Sequence, residues 1–127
     1  MAQLAHTALY VTDLNRAKTF YETYLGAVAN EEYHNFTTGL RTHFLTFDGE
    51  SRLEIMTRPG IEDPQSPTTL GFAHVAFSLG SKEAVDALTA RLSNDGFSVA
   101  SGPRTTGDGY YESVVLDPEG NQVELTA

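Results

Sequence analysis

Apolar and polar positions along the chain follow two local patterns, and the pair of patterns occurs twice. Leu4-Ala5-His6-Thr7-Ala8-Leu9 and Phe72-Ala73-His74-Val75-Ala76-Phe77 are apolar runs of strand length, each holding one histidine. Helical periodicity follows both. In the first half Asp13 is placed to cap, Leu14, Ala17, Tyr21 and Tyr24 form an apolar stripe, and Gly26 is the stop. In the second half Ser81 caps, Ala84, Val85, Leu88 and Leu92 form the stripe, and Gly96 stops it. Three shorter strands are predicted after each helix, over 28–34, 40–47 and 52–56, then over 97–101, 110–116 and 122–126. Turn residues join the last two strands of each half, Asp48-Gly49 in one and Asp117-Pro118-Glu119-Gly120 in the other.

The last strand of each half carries a glutamate between apolar neighbours, Leu53-Glu54-Ile55 and Val123-Glu124-Leu125. Glu54 lies 48 positions after His6, and Glu124 lies 50 after His74. The chain therefore reads as βαβββ written twice, an α+β domain spanning 1–127, with module one at 1–57, a Pro-rich polar linker at 58–71 and module two at 72–127. A half of this length is short for burying its own sheet. The two are expected to fold as one unit or to exchange partners in a homodimer.

Charge narrows the partners. Seventeen Asp+Glu against eight Lys+Arg give a net charge of −9, which disfavours nucleic acid and anionic membrane surfaces. The absence of cysteine excludes disulfides, thiolate metal sites and a cysteine nucleophile. No basic-then-apolar leader and no spanning apolar stretch is visible, so a cytoplasmic protein acting on a small molecule is expected.

Strand alternation places the candidate chemistry. His6 shares a face with Leu4, Ala8 and Tyr10; Glu54 with Arg52, Met56 and, by extension, Arg58. His74 goes with Phe72, Ala76 and Ser78, and Glu124 with Gln122 and Thr126. In every case the more apolar face is the opposite one, where a helix can pack. A single histidine in an apolar strand is more often a hydrogen-bonded structural residue than a ligand. The matched recurrence of His and Glu in both halves reverses that judgement. Two imidazoles and two carboxylates make an N2O2 set suited to Ni, Co, Mn or Fe(II), with Zn also compatible. His34 and His43 have no such support and read as structural. Arg104, Tyr110 and Tyr111 flank Thr106-Gly107-Asp108-Gly109, a loop that is either a hairpin turn or a place where backbone approaches a substrate.

These residues carry a resemblance. The His-bearing first strand with Asp13-Leu14, Phe20-Tyr21 through Leu25-Gly26, the run from Phe72 to Phe77, and Asp117-Pro118-Glu119-Gly120-Asn121 leading to Glu124 resemble the vicinal oxygen chelate superfamily, the glyoxalase/bleomycin resistance/dioxygenase proteins. The resemblance covers essentially the whole chain. It implies two βαβββ modules forming a cup around one divalent metal ion, commonly in a homodimer. The His-Glu-His-Glu pattern is similar to bacterial glyoxalase I (lactoylglutathione lyase). That implies His6, Glu54, His74 and Glu124 as ligands, with Glu124 or Glu54 removing a proton next to a chelated oxygen. Tyr10, Met56, Arg58 and Tyr111 are the expected substrate contacts.

Departures from glyoxalase I are equally specific. The position four after the first His is an Arg that holds a glutathione carboxylate in that enzyme, and here it is Tyr10. A phenol cannot form a bidentate ion pair with a carboxylate, so glutathione dependence is not expected from this residue. The resemblance also admits fosfomycin-type resistance chemistry, extradiol oxygen cleavage, and metal-free drug sequestration of the bleomycin-resistance kind. Retention of all four ligands disfavours the last.

Overall fold

The computed structural model describes residues 1–63 and 69–127, which form two compact units, Met1–Asp63 and Pro64–Ala127. The middle of the predicted linker, 64–68, lies outside the described residues. Each unit is a mixed sheet with one helix on one face, so the architecture is α+β.

Unit 1 runs β1 (His6–Tyr10), α1 (Leu14–Leu25), β2 (Val28–Ala29), β3 (Tyr33–His34), β4 (Arg41–Thr46) and β5 (Arg52–Thr57). Its strand order is β1-β5-β4-β2, with β3 also on β4; β1 and β5 are parallel and the other pairs antiparallel. The helix starts where the sequence placed its cap. The Asp13 carboxylate accepts from the Arg16 amide at 3.0 Å, and Gly26 ends the helix at φ 68°, a left-handed conformation that favours glycine. Leu14, Ala17, Phe20 and Tyr21 are buried on α1, as are Leu45, Leu53 and Ile55 on the sheet it packs against.

Unit 2 runs β6 (His74–Ser78), α2 (Lys82–Asn94), β7 (Val99–Thr105), β8 (Tyr111–Leu116) and β9 (Gln122–Thr126) in the order β6-β9-β8-β7, with β6 and β9 parallel. Ser81 Oγ accepts from the Ala84 amide as N-cap, and Gly96 at φ 93° follows the C-cap residue Asp95. Val85 and Leu92 of α2 are buried, as are Val115, Val123 and Leu125 of the sheet. Thr89 holds a buried place beside them, where the apolar stripe predicted Leu88. Its hydroxyl donates to Val85 O at 2.6 Å and lies 2.7 Å from Ser113 Oγ, so both buried hydroxyls are satisfied. Among the described residues no helix is long and apolar enough to cross a membrane.

Two strand predictions need correction. The strand expected over 28–34 is two short ladders, because Asn30 interrupts it. Its side-chain Oδ1 accepts the Phe44 amide at 2.8 Å, a bond that a backbone carbonyl would otherwise supply. The strand expected to stop at Ser101 instead continues through Gly102-Pro103 to Thr105, with register shifts on either side of Ser101. An edge strand tolerates a proline and a bulge that a central strand would not, and β7 is an edge. Glycine is required at 102: φ is 79°, and a Cβ there would sit 2.6 Å from Glu112 O.

Candidate metal centre

The parallel pairing of β1 with β5 sets Ala8 opposite Glu54, which leaves His6 one step away on the same face. His6 Nε2 lies 3.8 Å from Glu54 Oε1. The pairing of β6 with β9 repeats this arrangement, with Ala76 opposite Glu124 and His74 Nε2 3.1 Å from Glu124 Oε2. Side-chain exposure matches too, 40% and 16% for His6 and Glu54 against 42% and 17% for His74 and Glu124. Both pairs lie on the helix-free face of their sheet, opposite buried Leu53 and Ile55 in one unit and Val123 and Leu125 in the other.

Each pair supplies one imidazole nitrogen and one carboxylate oxygen. Two atoms each about 2.1 Å from one ion, at 90–110°, stand roughly 3.0–3.4 Å apart. The 3.1 Å separation of His74 and Glu124 fits that requirement, and the 3.8 Å of His6 and Glu54 is slightly wider. Among the described residues no three His, Asp or Glu side chains gather into a group that could hold a metal. The structure therefore brings His6 to Glu54 and His74 to Glu124, two donors per unit.

The surroundings of the two pairs differ in sign. Glu54 faces Phe44 across β4, and the His6 ring meets Phe44 edge-on with centroids 5.2 Å apart. Arg52 lays its guanidinium carbon 4.4 Å from the Phe44 centroid, and Arg58 lies 5.4 Å over the Tyr10 ring. Tyr10, Met56 and Arg58 thus belong to the neighbourhood of this pair, as alternation predicted, with Met56 opposite Tyr10 in the ladder. Glu124 has acidic company. Burial first, then a hydrogen bond shared with Glu112, lift its carboxyl above the usual range; His74 opposes this, while the charges of Glu112 and Asp108 add to it.

Tyr111 is a correction. Ser113 and Val115 turn toward α2, and Tyr111 turns with them; its hydroxyl donates to Asp86 on that helix, which lifts the phenol above its ordinary range. The sheet separates it from Glu124. Glu112 is the acidic β8 residue on the Glu124 face, and sequence reasoning missed it. The signal was available: Ser113 and Val115 alternate with Glu112 and Val114, and Val114 pairs with Glu124. The loop after β7 closes on itself, with the Thr106 amide donating to Tyr110 O at 2.7 Å and the Tyr110 amide to Thr106 Oγ1 at 3.0 Å. Tyr110 is exposed, and Arg104 stands across the ladder from Glu112. His43 is structural: it is buried, and its Nδ1 lies 2.9 Å from Asn30 O. A cleft of about 420 Å³ lined by Asp86, Thr89, Ala90, Ser93, Val99 and Pro103 lies on the helix side and touches neither pair.

Comparison with known proteins shows the family and the fold. Residues 3–125 match the model of the Glyoxalase/Bleomycin resistance protein/Dioxygenase superfamily. An uncharacterized protein of Bacillus subtilis is 29% identical over 128 residues, covering 96% of each chain. An uncharacterized protein of Pseudomonas aeruginosa is 32% identical over 125 residues, covering 97% of this chain and 86% of its own. The crystal structure of the glyoxalase family protein from Enterococcus faecalis superposes with a TM-score of 0.81 at 26% identity, covering 98% of this chain and 97% of that one. The chain belongs to the glyoxalase/bleomycin resistance protein/dioxygenase superfamily.

Proposed function

We propose that the chain is a metal-dependent lyase/isomerase of the glyoxalase I kind, acting on a small substrate with two adjacent chelating oxygens. His6, Glu54, His74 and Glu124 hold one divalent ion, each unit contributing its His–Glu pair. The observation that carries this reading is the equivalence of the two pairs in strand position, face and exposure. The recurrence of the same nitrogen and oxygen donors at matched positions supports reading the two pairs as halves of one ligand set. Two donors in each unit also suit a homodimer, in which units of different subunits can complete a set.

The ion, when bound, supplies Lewis acidity at the chelated oxygens. The chain's own groups do the rest. Glu124 takes the proton from the carbon next to those oxygens, with Glu54 as its counterpart on the other pair. A half-buried carboxylate suits this task because it is a stronger base than one free in water. Tyr10 and Met56 line the approach on the unit 1 side. Tyr10 offers no bidentate partner to a carboxylate, which argues for a substrate other than the glutathione adduct.

The test is turnover. Protein stripped of metal and reloaded with Ni, Co, Mn or Zn is assayed with methylglyoxal plus a panel of thiols, and with fosfomycin. Metal-dependent loss of a hemithioacetal, abolished in Glu124→Gln, is the expected result. A kcat/KM above about 10⁴ M⁻¹s⁻¹ with glutathione would overturn the reading of Tyr10. Turnover of fosfomycin alone would overturn the isomerase assignment.

A further inference from the structure

The cleft on the helix side of unit 2 has a polar end, an apolar middle and charge of one sign. Asp86, Thr89, Ala90 and Ser93 of α2 recur at i, i+3, i+4 and i+7, a single stripe of the helix. With Val99 and Pro103 of β7 they line a space of about 420 Å³. That size lies within the roughly 300–1,000 Å³ of small-molecule sites. Ala90 and Ser93 are small, and β7 shifts register between Val99 and Arg104, the stretch that forms the opposite wall.

Asp86 is the only charged side chain lining the cleft among the described residues. The Tyr111 hydroxyl donates to its Oδ1 and steadies the carboxylate. Oδ2 makes no hydrogen bond there, and Asp86 makes no ion pair. Lys82 stands one turn earlier on the same helix, where pairing with Asp86 is the ordinary arrangement. Its ammonium lies instead 5.4 Å from the centre of the Tyr111 ring. One carboxylate oxygen is thus held in place with an acceptor's full capacity left over.

Beyond Asp86 the wall is apolar at Ala90, Val99 and Pro103. The Thr89 hydroxyl is committed to Val85 O and Ser113 Oγ, so Ser93 supplies the hydroxyl at the far end. Seven residues at 1.5 Å each put Ser93 about 10 Å along the helix from Asp86. The net charge of −9 also favours cations over anions near the chain.

We propose that this cleft binds a small aliphatic primary amine. Its ammonium donates to Asp86 Oδ2, its methylene chain lies against Ala90, Val99 and Pro103, and a polar far end reaches Ser93. Nothing in this assignment depends on the metal reading.

The probes are 6-aminohexan-1-ol and 6-hydroxyhexanoate, which share an aliphatic chain with a terminal hydroxyl and differ in the sign of the charged end. Each is titrated at neutral pH into metal-free protein while backbone amide signals are followed by NMR. Saturable shifts centred on Asp86, Ala90 and Val99 are expected with the amine, and none with the acid. Asp86→Asn keeps an acceptor for Tyr111 and removes the charge, so the amine should bind it at least tenfold more weakly. Ala90→Leu fills the middle of the cleft and should weaken binding with the carboxylate intact. Absence of saturable shifts with the amine, equal saturation by the acid, or unchanged affinity in either variant overturns the proposal. The metal-free protein gives this answer whether or not the His–Glu pairs take up an ion.

Discussion

Replacing Asp117 by alanine should destabilise the protein far more than replacing Asp48, although both open the turn before the last strand of their half. Asp117 is 4% exposed, and its carboxylate accepts three bonds: Glu119 N at 2.9 Å, Asn121 N at 2.9 Å and Asn121 Nδ2 at 3.0 Å. Hydrogen bonds to a charged group contribute about 1.5–3 kcal/mol each, but three on one carboxylate do not add fully. Removing it strands two backbone amides, so Asp117→Ala should cost about 3–5 kcal/mol. At roughly 2.1 cal/mol/K per residue of unfolding entropy, that is a fall in Tm of about 11–19 °C for a chain this long. Asp117→Asn keeps one acceptor oxygen for the amides but sets one amide nitrogen against that of Asn121, and should fall between. Asp48 is exposed and makes no side-chain bond among the described residues, so Asp48→Ala should stay within about 0.5 kcal/mol. Urea unfolding followed by far-UV circular dichroism and by calorimetry measures all three. Equal, small losses for Asp117→Ala and Asp48→Ala would refute the claim that this carboxylate holds the turn feeding Glu124 into β9.

Two further predictions concern groups away from the pairs. Thr89→Val removes the hydroxyl between Val85 O and Ser113 Oγ and should cost about 1–3 kcal/mol in chemical denaturation; adding Ser113→Ala should recover part of it, because no buried hydroxyl is then left alone. Glu32 is held below the usual carboxylate range, first by its hydrogen bond to Arg41, so the folded value lies under the unfolded one. The contribution is present above the unfolded value and is lost as pH falls through the folded value. Glu32→Gln should therefore lower Tm slightly at neutral pH and not at all at acid pH, flattening the acid limb by that same small amount, because the pair is exposed and screened.

Much of this was legible because both halves repeat one physical pattern. Alternation around His6, Glu54, His74 and Glu124 put all four on the face away from the helices, and Asp13 and Ser81 marked the helix starts. What escaped was decided by tertiary context. Asn30 uses its side chain as a ladder acceptor, which no hydropathy pattern reveals. Gly102-Pro103 looked like a strand end and is a bulge that only an edge strand permits. Asp117 looked like one more turn acid, and its burial depends on the hairpin it organises. Tyr111 and Glu112 are neighbours in sequence on opposite faces of β8, and choosing between them required the packing of Ser113 against Thr89.

Metal binding by the four-residue set is measured most directly by equilibrium dialysis with elemental analysis, on the unaltered chain and on His6→Ala, Glu54→Ala, His74→Ala and Glu124→Ala. One divalent ion per ligand set is expected, with each of the four variants losing affinity at least tenfold and folded His43→Ala binding the ion as the unaltered chain does. Uptake that is absent, or that depends on one His–Glu pair and ignores the other, would contradict this expectation.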